Sequence, residues 1–197
     1  RRLLLHNGRN NNRRISTMIL YFFYKNFIIT IIHYYFGFYN NFSGQTIIDD
    51  WFIALYNLIF TALPLAVNAV FEYDLRPSDS IIIDKLLPFL YIETRDKPIL
   101  TVWSFSTRIF KAVTQGAFIY FMCILSQQIS IFDSNGNTPD LWYFSMNQYT
   151  IIIIVVSINL LISSRFWTVV LVVVMAITSM GAYTFACIVA QSLSLFN

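Results

Sequence analysis

Lys25 and Asn26 close the string Tyr21-Phe22-Phe23-Tyr24-Lys25-Asn26, which lies inside a largely apolar run from residue 15 to residue 38. If that run is a helix across a bilayer, Lys25 lies about ten residues from its start. At 1.5 Å per residue it then sits roughly 15 Å deep, near the middle of a hydrocarbon core about 30 Å thick. An ammonium there costs about 2.5–3.5 kcal/mol even on lenient insertion scales, and an ionisable residue kept at that depth marks a functional site by default. It needs a carbonyl, a carboxylate or an anionic ligand, yet the apolar runs contain no Asp or Glu to pair with it.

Other polar residues surround this cation at helical spacing. Asn26, Thr30, His33, Gly37 and Asn40 or Asn41 recur every three or four positions and share one helix face, with Lys25 flanking the first. A second run repeats the pattern with Asn57, Thr61, Pro64 and Asn68. Pro64 has no N–H and clashes with the carbonyl of Phe60, so it frees an acceptor inside the membrane, which protein or a polar cavity must satisfy. Stripes of this kind also glue helices together without further function; Lys25 is what shifts the reading toward chemistry. His33, Asn147, Gln148, Asn159 and Thr114-Gln115-Gly116 read as packing or interhelical hydrogen bonds. The chain carries no nucleotide loop, nucleophile elbow, zinc motif or acid pair, and so no hydrolytic chemistry of its own.

These residues need long helices to position them, and the composition supplies the material. Of 197 residues 57% are hydrophobic, 18% aromatic and only 12% charged, which excludes a water-soluble globule and predicts an all-α, polytopic membrane helix bundle. Spans are expected at about 15–39, 51–71, 103–125, 142–163 and 166–189, with tryptophans near several starts as in an interfacial belt. Residues 1–14 form a basic approach segment with a low-complexity Asn10-Asn11-Asn12 run, and 15–197 the transmembrane domain. The loop at 72–102, with Ile81-Ile82-Ile83, is expected to hug the membrane or a neighbouring domain. The link at 126–141 is a plain turn-rich connection. Cys123 and Cys187 lie in apolar runs without metal-ligand spacing and read as inert buried thiols.

Charge placement gives an expected orientation. Of the 13 Lys and Arg, all but Lys25 fall in the N-terminal flank, the 72–111 region or at Arg165, whereas 40–50 and 126–141 carry only Asp49, Asp50, Asp133 and Asp140. The positive-inside bias makes the N-terminus, the 72–102 loop and the Arg165 turn cytoplasmic, and the acidic loops and C-terminus exoplasmic. The net charge of +3 forms no aromatic-interleaved basic patch, which argues against nucleic acid. The abrupt start at Arg1-Arg2 reads as that of a fragment.

The motifs resemble a known family. Arg2-Leu3-Leu4-Leu5 with Gly8-Arg9 and Arg13-Arg14 is similar to the R-L-L-L-x-H-G-R-x-x-x-R-R approach to the fifth transmembrane helix of P4-type ATPases, the phospholipid flippases. Tyr21 to Asn26 resembles their Y-F-F-Y-K-N, Phe42 to Gln45 their F-S-G-Q, Asp50 to Ile53 their D-W-F-I, and Leu55 to Pro64 their L-Y-N-L-x-F-T-x-L-P. Phe166-Trp167-Thr168 is similar to a Y-W-T near their ninth helix. The match is specific from 21 to 64 and loose beyond about 75. His6-Asn7 stands where Val-His is usual, and Asn68-Ala69-Val70 replaces a glycine-containing helix exit.

The resemblance implies that the spans are helices five to nine of a P-type ATPase membrane domain. It implies an ATP-driven flippase that moves phospholipid from the exoplasmic to the cytoplasmic leaflet. Lys25 and Asn26 would act in translocation, and Asn40 falls where some members contact the head group. Thr30, Asn57, Thr61 and Pro64 complete the expected lipid path. ATP and Mg²⁺ belong to remaining flippase domains with the D-K-T-G phosphorylation site, and an accessory beta subunit is a further implied partner. The alternative is a non-transporting flippase-like module that scaffolds or regulates a fused domain such as a guanylyl cyclase.

Overall fold

The computed structural model describes residues 2–72, 98–129, 141–164 and 167–194, and among these every regular element is helical. Helix α1 runs unbroken for 38 residues, Arg2–Tyr39. The polar approach is therefore continuous with the span, and the change at residue 15 is one of composition, not of backbone. Arg14 Nε donates to the carbonyl of Glu72 at 2.6 Å, tying the approach to the far end of the second span. The helix ends where Asn41 adopts the left-handed conformation (φ 49°) and the Phe42 N–H closes back on the Gly37 carbonyl at 2.9 Å, the bond of a Schellman-type cap.

The second span is three pieces. Asp49 caps α2, Asp50–Leu55, by accepting from the Trp51 N–H at 3.2 Å, and Asp50 adds a favourable charge in the first turn. Tyr56–Phe60 is a π turn, followed by α3, Ala62–Phe71. Pro64 falls in the first turn of α3, where its missing N–H leaves no intrahelical bond unmade. The expected single helix disturbed at the Phe60 carbonyl is thus replaced by a register shift beginning one turn earlier.

Helices α4 (Val102–Ile129), α5 (Leu141–Ser163) and α6 (Val169–Ser194) complete the chain. Among the described residues, four stretches are long and apolar enough to cross a bilayer: Asn10–Tyr39, Asp50–Phe71, Val102–Ser126 and Leu141–Ser163. α6, the fifth expected span, contains the shorter apolar stretch Val169–Gly181. α1 packs chiefly on α4, and a Cβ at Gly116 would come within 3.1 Å of Ile31 and 3.3 Å of the Ile28 carbonyl. That missing side chain is what lets the two backbones approach. The core between helices holds Tyr24, Ile28, Ile32, Tyr56, Tyr149 and Ile152. The expectations for 73–97, 130–140, Arg165 and the Cys187 side chain lie outside the described residues.

Candidate functional site

Lys25 is 1% exposed, the only lysine or arginine among the described buried side chains. Its Nζ lies 2.6 Å from Thr61 Oγ1, 3.4 Å from Asn57 Oδ1 and 3.5 Å from the Asn57 carbonyl, all on the second span. The rings of Phe22 and Tyr56 flank it at 5.3 and 5.6 Å, within cation–π range. Among the described residues no carboxylate takes part. Charge-assisted hydrogen bonds to hydroxyl, amide and carbonyl oxygens stabilise the ammonium instead, the short one most.

The π turn prepares this arrangement. In an α-helix the Thr61 N–H would bond the Asn57 carbonyl; here it reaches the Tyr56 carbonyl at 3.1 Å, which turns the Asn57 oxygen toward a new donor. The Thr61 hydroxyl donates to the same Tyr56 carbonyl at 2.6 Å, so its lone pairs face Lys25. Tyr56 returns the contact by donating its phenol proton to the Lys25 carbonyl at 2.9 Å. Pro64, also buried, lies one turn beyond Thr61.

Of the residues expected on a lipid path, Lys25, Asn57 and Thr61 come together. Asn26, Thr30 and Asn40 do not join them. Thr30 is exposed and its hydroxyl donates to the Asn26 carbonyl at 2.8 Å, and Asn40 ends α1 with Nδ2 3.5 Å from the Gln45 carbonyl. The reason is geometric: adjacent helix positions differ by about 100°, so the face that carries Asn26 and Thr30 cannot meet the helix that receives Lys25. His33 bonds its own helix through Nδ1, 2.8 Å from the Ile29 carbonyl.

Sequence reasoning missed a second intramembrane lysine. Lys111, counted there with the basic 72–111 region, stands inside the Val102–Ser126 stretch; its Nζ donates to Asn159 Oδ1 of α5 at 2.5 Å and lies 5.7 Å over the Tyr24 ring. The available signal was its place eight positions beyond Trp103, already within the expected span. Tyr24 in turn donates its phenol proton to Gln115 Oε1 of α4. Asn159 thus makes the expected interhelical bond. The fully buried Gln148 makes none with either amide atom among the described residues. Also among the described residues, no group of three or more His, Cys, Asp or Glu stands close enough together to hold a metal ion.

A bundle of bilayer-length helices with a lysine buried between two of them, and no acid beside it among the described residues, has the build of a multi-pass membrane protein. The chain belongs to the family described as phospholipid-translocating P-type ATPase C-terminal, whose model matches residues 1–197. It is 30% identical over 168 residues to human phospholipid-transporting ATPase IK, covering 82% of this chain and 12% of that protein. It is 29% identical over 131 residues to mouse phospholipid-transporting ATPase 11C (66% and 11%) and 30% over 130 residues to phospholipid-transporting ATPase 10 of Arabidopsis thaliana (66% and 10%). The matched stretch thus spans about a tenth of the length of these curated relatives. Family and relatives carry transport in their names and lend no support to the alternative of a non-transporting module.

Proposed function

We propose that this chain supplies the fifth to ninth transmembrane helices of an ATP-driven phospholipid transporter, with Lys25 as the cation that meets an anionic head group part-way across the bilayer. The observation that carries this reading is the buried ammonium held, among the described residues, only by neutral oxygens. A carboxylate would hold it permanently and repel phosphate. A hydroxyl and an amide keep it solvated, yet yield to the stronger charge-assisted bonds of a phosphate. Asn57 and Thr61 are the resting partners; Pro64 marks the first turn of α3 beside them. Asn26, Thr30 and Asn40 lie on the partly open face of α1, available to helices outside this chain. ATP and Mg²⁺ act in the remaining domains, and an accessory beta subunit completes the assembly.

In this reading lipid moves from the exoplasmic to the cytoplasmic leaflet, with the N-terminus cytoplasmic and the C-terminus of this chain exoplasmic. A Ser43→Cys variant, in a background with Cys123 and Cys187 replaced by alanine, is expected to react with a membrane-impermeant thiol reagent from the exoplasmic side. Labelling from the cytoplasmic side alone would reverse the orientation.

The division of labour has its own test. The full-length protein, reconstituted in vesicles with a fluorescent phospholipid, is expected to move that lipid on addition of ATP. The 197-residue chain alone is expected to hydrolyse no ATP above a mock preparation. An inert full-length protein, or ATP hydrolysis by the short chain, overturns the assignment.

A further inference from the structure

Tyr24 and Lys25 are neighbours on α1 and point about 100° apart, so any rotation of the helix moves both. Lys25 reaches into the second span, while Tyr24, fully buried, is gripped from α4 by Gln115 at its hydroxyl and by the Lys111 ammonium over its ring. Lys111 is anchored in turn to Asn159 of α5 at 2.5 Å. At the radius of helix side chains, about 5 Å, a rotation of 10° displaces an atom by about 1 Å. That is enough to break the 2.6 Å contact between Lys25 and Thr61.

We infer that Lys111 is a positioning residue for Lys25: the Asn159–Lys111–Tyr24 chain of contacts sets the rotation of α1 that presents the Lys25 ammonium to Thr61 and Asn57. The inference rests on the reading of Lys25 as the cation of the lipid path. Lys111 need not touch lipid to act; it sets the angle at which another residue does. A cation suits this role because its attraction to the ring face and to the amide oxygen is directional from one atom, where an apolar side chain would only fill space.

The test uses the full-length protein in vesicles of phosphatidylcholine with graded phosphatidylserine, reading ATPase rate against phosphatidylserine fraction. Lys111→Met is expected to raise the half-stimulating fraction three- to tenfold with the maximum rate changed less than twofold, and Lys111→Arg to restore it. A merely structural lysine would lower the maximum rate through fewer active molecules and leave the half-stimulating fraction alone. In a Lys25→Met background the Lys111→Met change is expected to add nothing, since the group being positioned is gone. An unchanged half-stimulating fraction, or an equal shift with and without Lys25, overturns the inference. If Lys111→Met does not accumulate, Lys111→Gln, which keeps an N–H donor on a side chain one atom shorter and loses the charge over Tyr24, takes its place under the same criteria. Failure of both to accumulate assigns Lys111 to assembly and overturns it as well. A Lys25→Met protein with wild-type lipid dependence sinks the lipid-path reading itself, a result distinguishable from a shift seen with Lys25→Met but not with Lys111→Met.

Discussion

Replacing Lys25 with methionine in the full-length transporter is expected to weaken phospholipid-stimulated dephosphorylation about 10- to 150-fold while phosphorylation from ATP stays within about twofold. The range is the loss of one hydrogen bond to a charged group, about 1.5–3 kcal/mol, expressed as a ratio. Only the lipid-stimulated step depends on an occupied path, so the two steps separate. Methionine keeps the length of the side chain and removes the charge. The structure also states why the variant should fold. The Thr61 hydroxyl retains its bond to the Tyr56 carbonyl, Asn57 is exposed, and no opposite charge is left stranded. A buried ion without an ionic partner contributes little net stability, so its removal is expected to be neutral or favourable for accumulation. Parallel measurements of phosphoenzyme formation and lipid-dependent decay decide the matter: unchanged lipid dependence in a well-expressed Lys25→Met protein removes Lys25 from the path.

The second large effect belongs to Thr61. Thr61→Val preserves the branched shape and deletes the hydroxyl that bridges Lys25 to the π turn. The ammonium is left with the contacts at 3.4 and 3.5 Å to Asn57 alone. A buried charged donor that loses its best acceptor costs about 1–3 kcal/mol or more. Thermal unfolding of the purified protein in detergent is expected to fall accordingly for Thr61→Val and to recover in Thr61→Ser. The double variant Lys25→Met/Thr61→Val is expected to regain most of the loss, because the group in need of an acceptor has gone. Additive losses in the double variant would show that Thr61 and Lys25 do not act on each other.

Much of this was legible in the order of residues, and the exceptions have physical causes. Long apolar runs, several opening near a tryptophan, mark five expected spans because composition decides solubility in lipid, and four of them are bilayer-length stretches among the described residues. Lys25 stands out because nothing else explains a charge at its depth. The choice of partner was not legible: periodicity assigns Asn26 and Thr30 to one face of α1, but which face meets which helix depends on packing, here the Ile28–Gly116 approach of α4. The π turn was only half visible. Pro64 announces a disturbance, whereas its start at Tyr56 depends on the Thr61 hydroxyl closing onto a carbonyl five residues back. Lys111 escaped because charge counting assigns a lysine to the nearest loop, while its partner Asn159 lies 48 positions away.

The unbroken length of α1 makes it a lever arm. From Arg2 to Lys25 the helix extends about 35 Å, so a tilt of about 5° applied at the arginine end swings the ammonium by about 3 Å. That stroke exceeds the 2.6 Å separation from Thr61, and the backbone offers no hinge in between to absorb it. Work done on the polar end therefore reaches the middle of the bilayer as displacement.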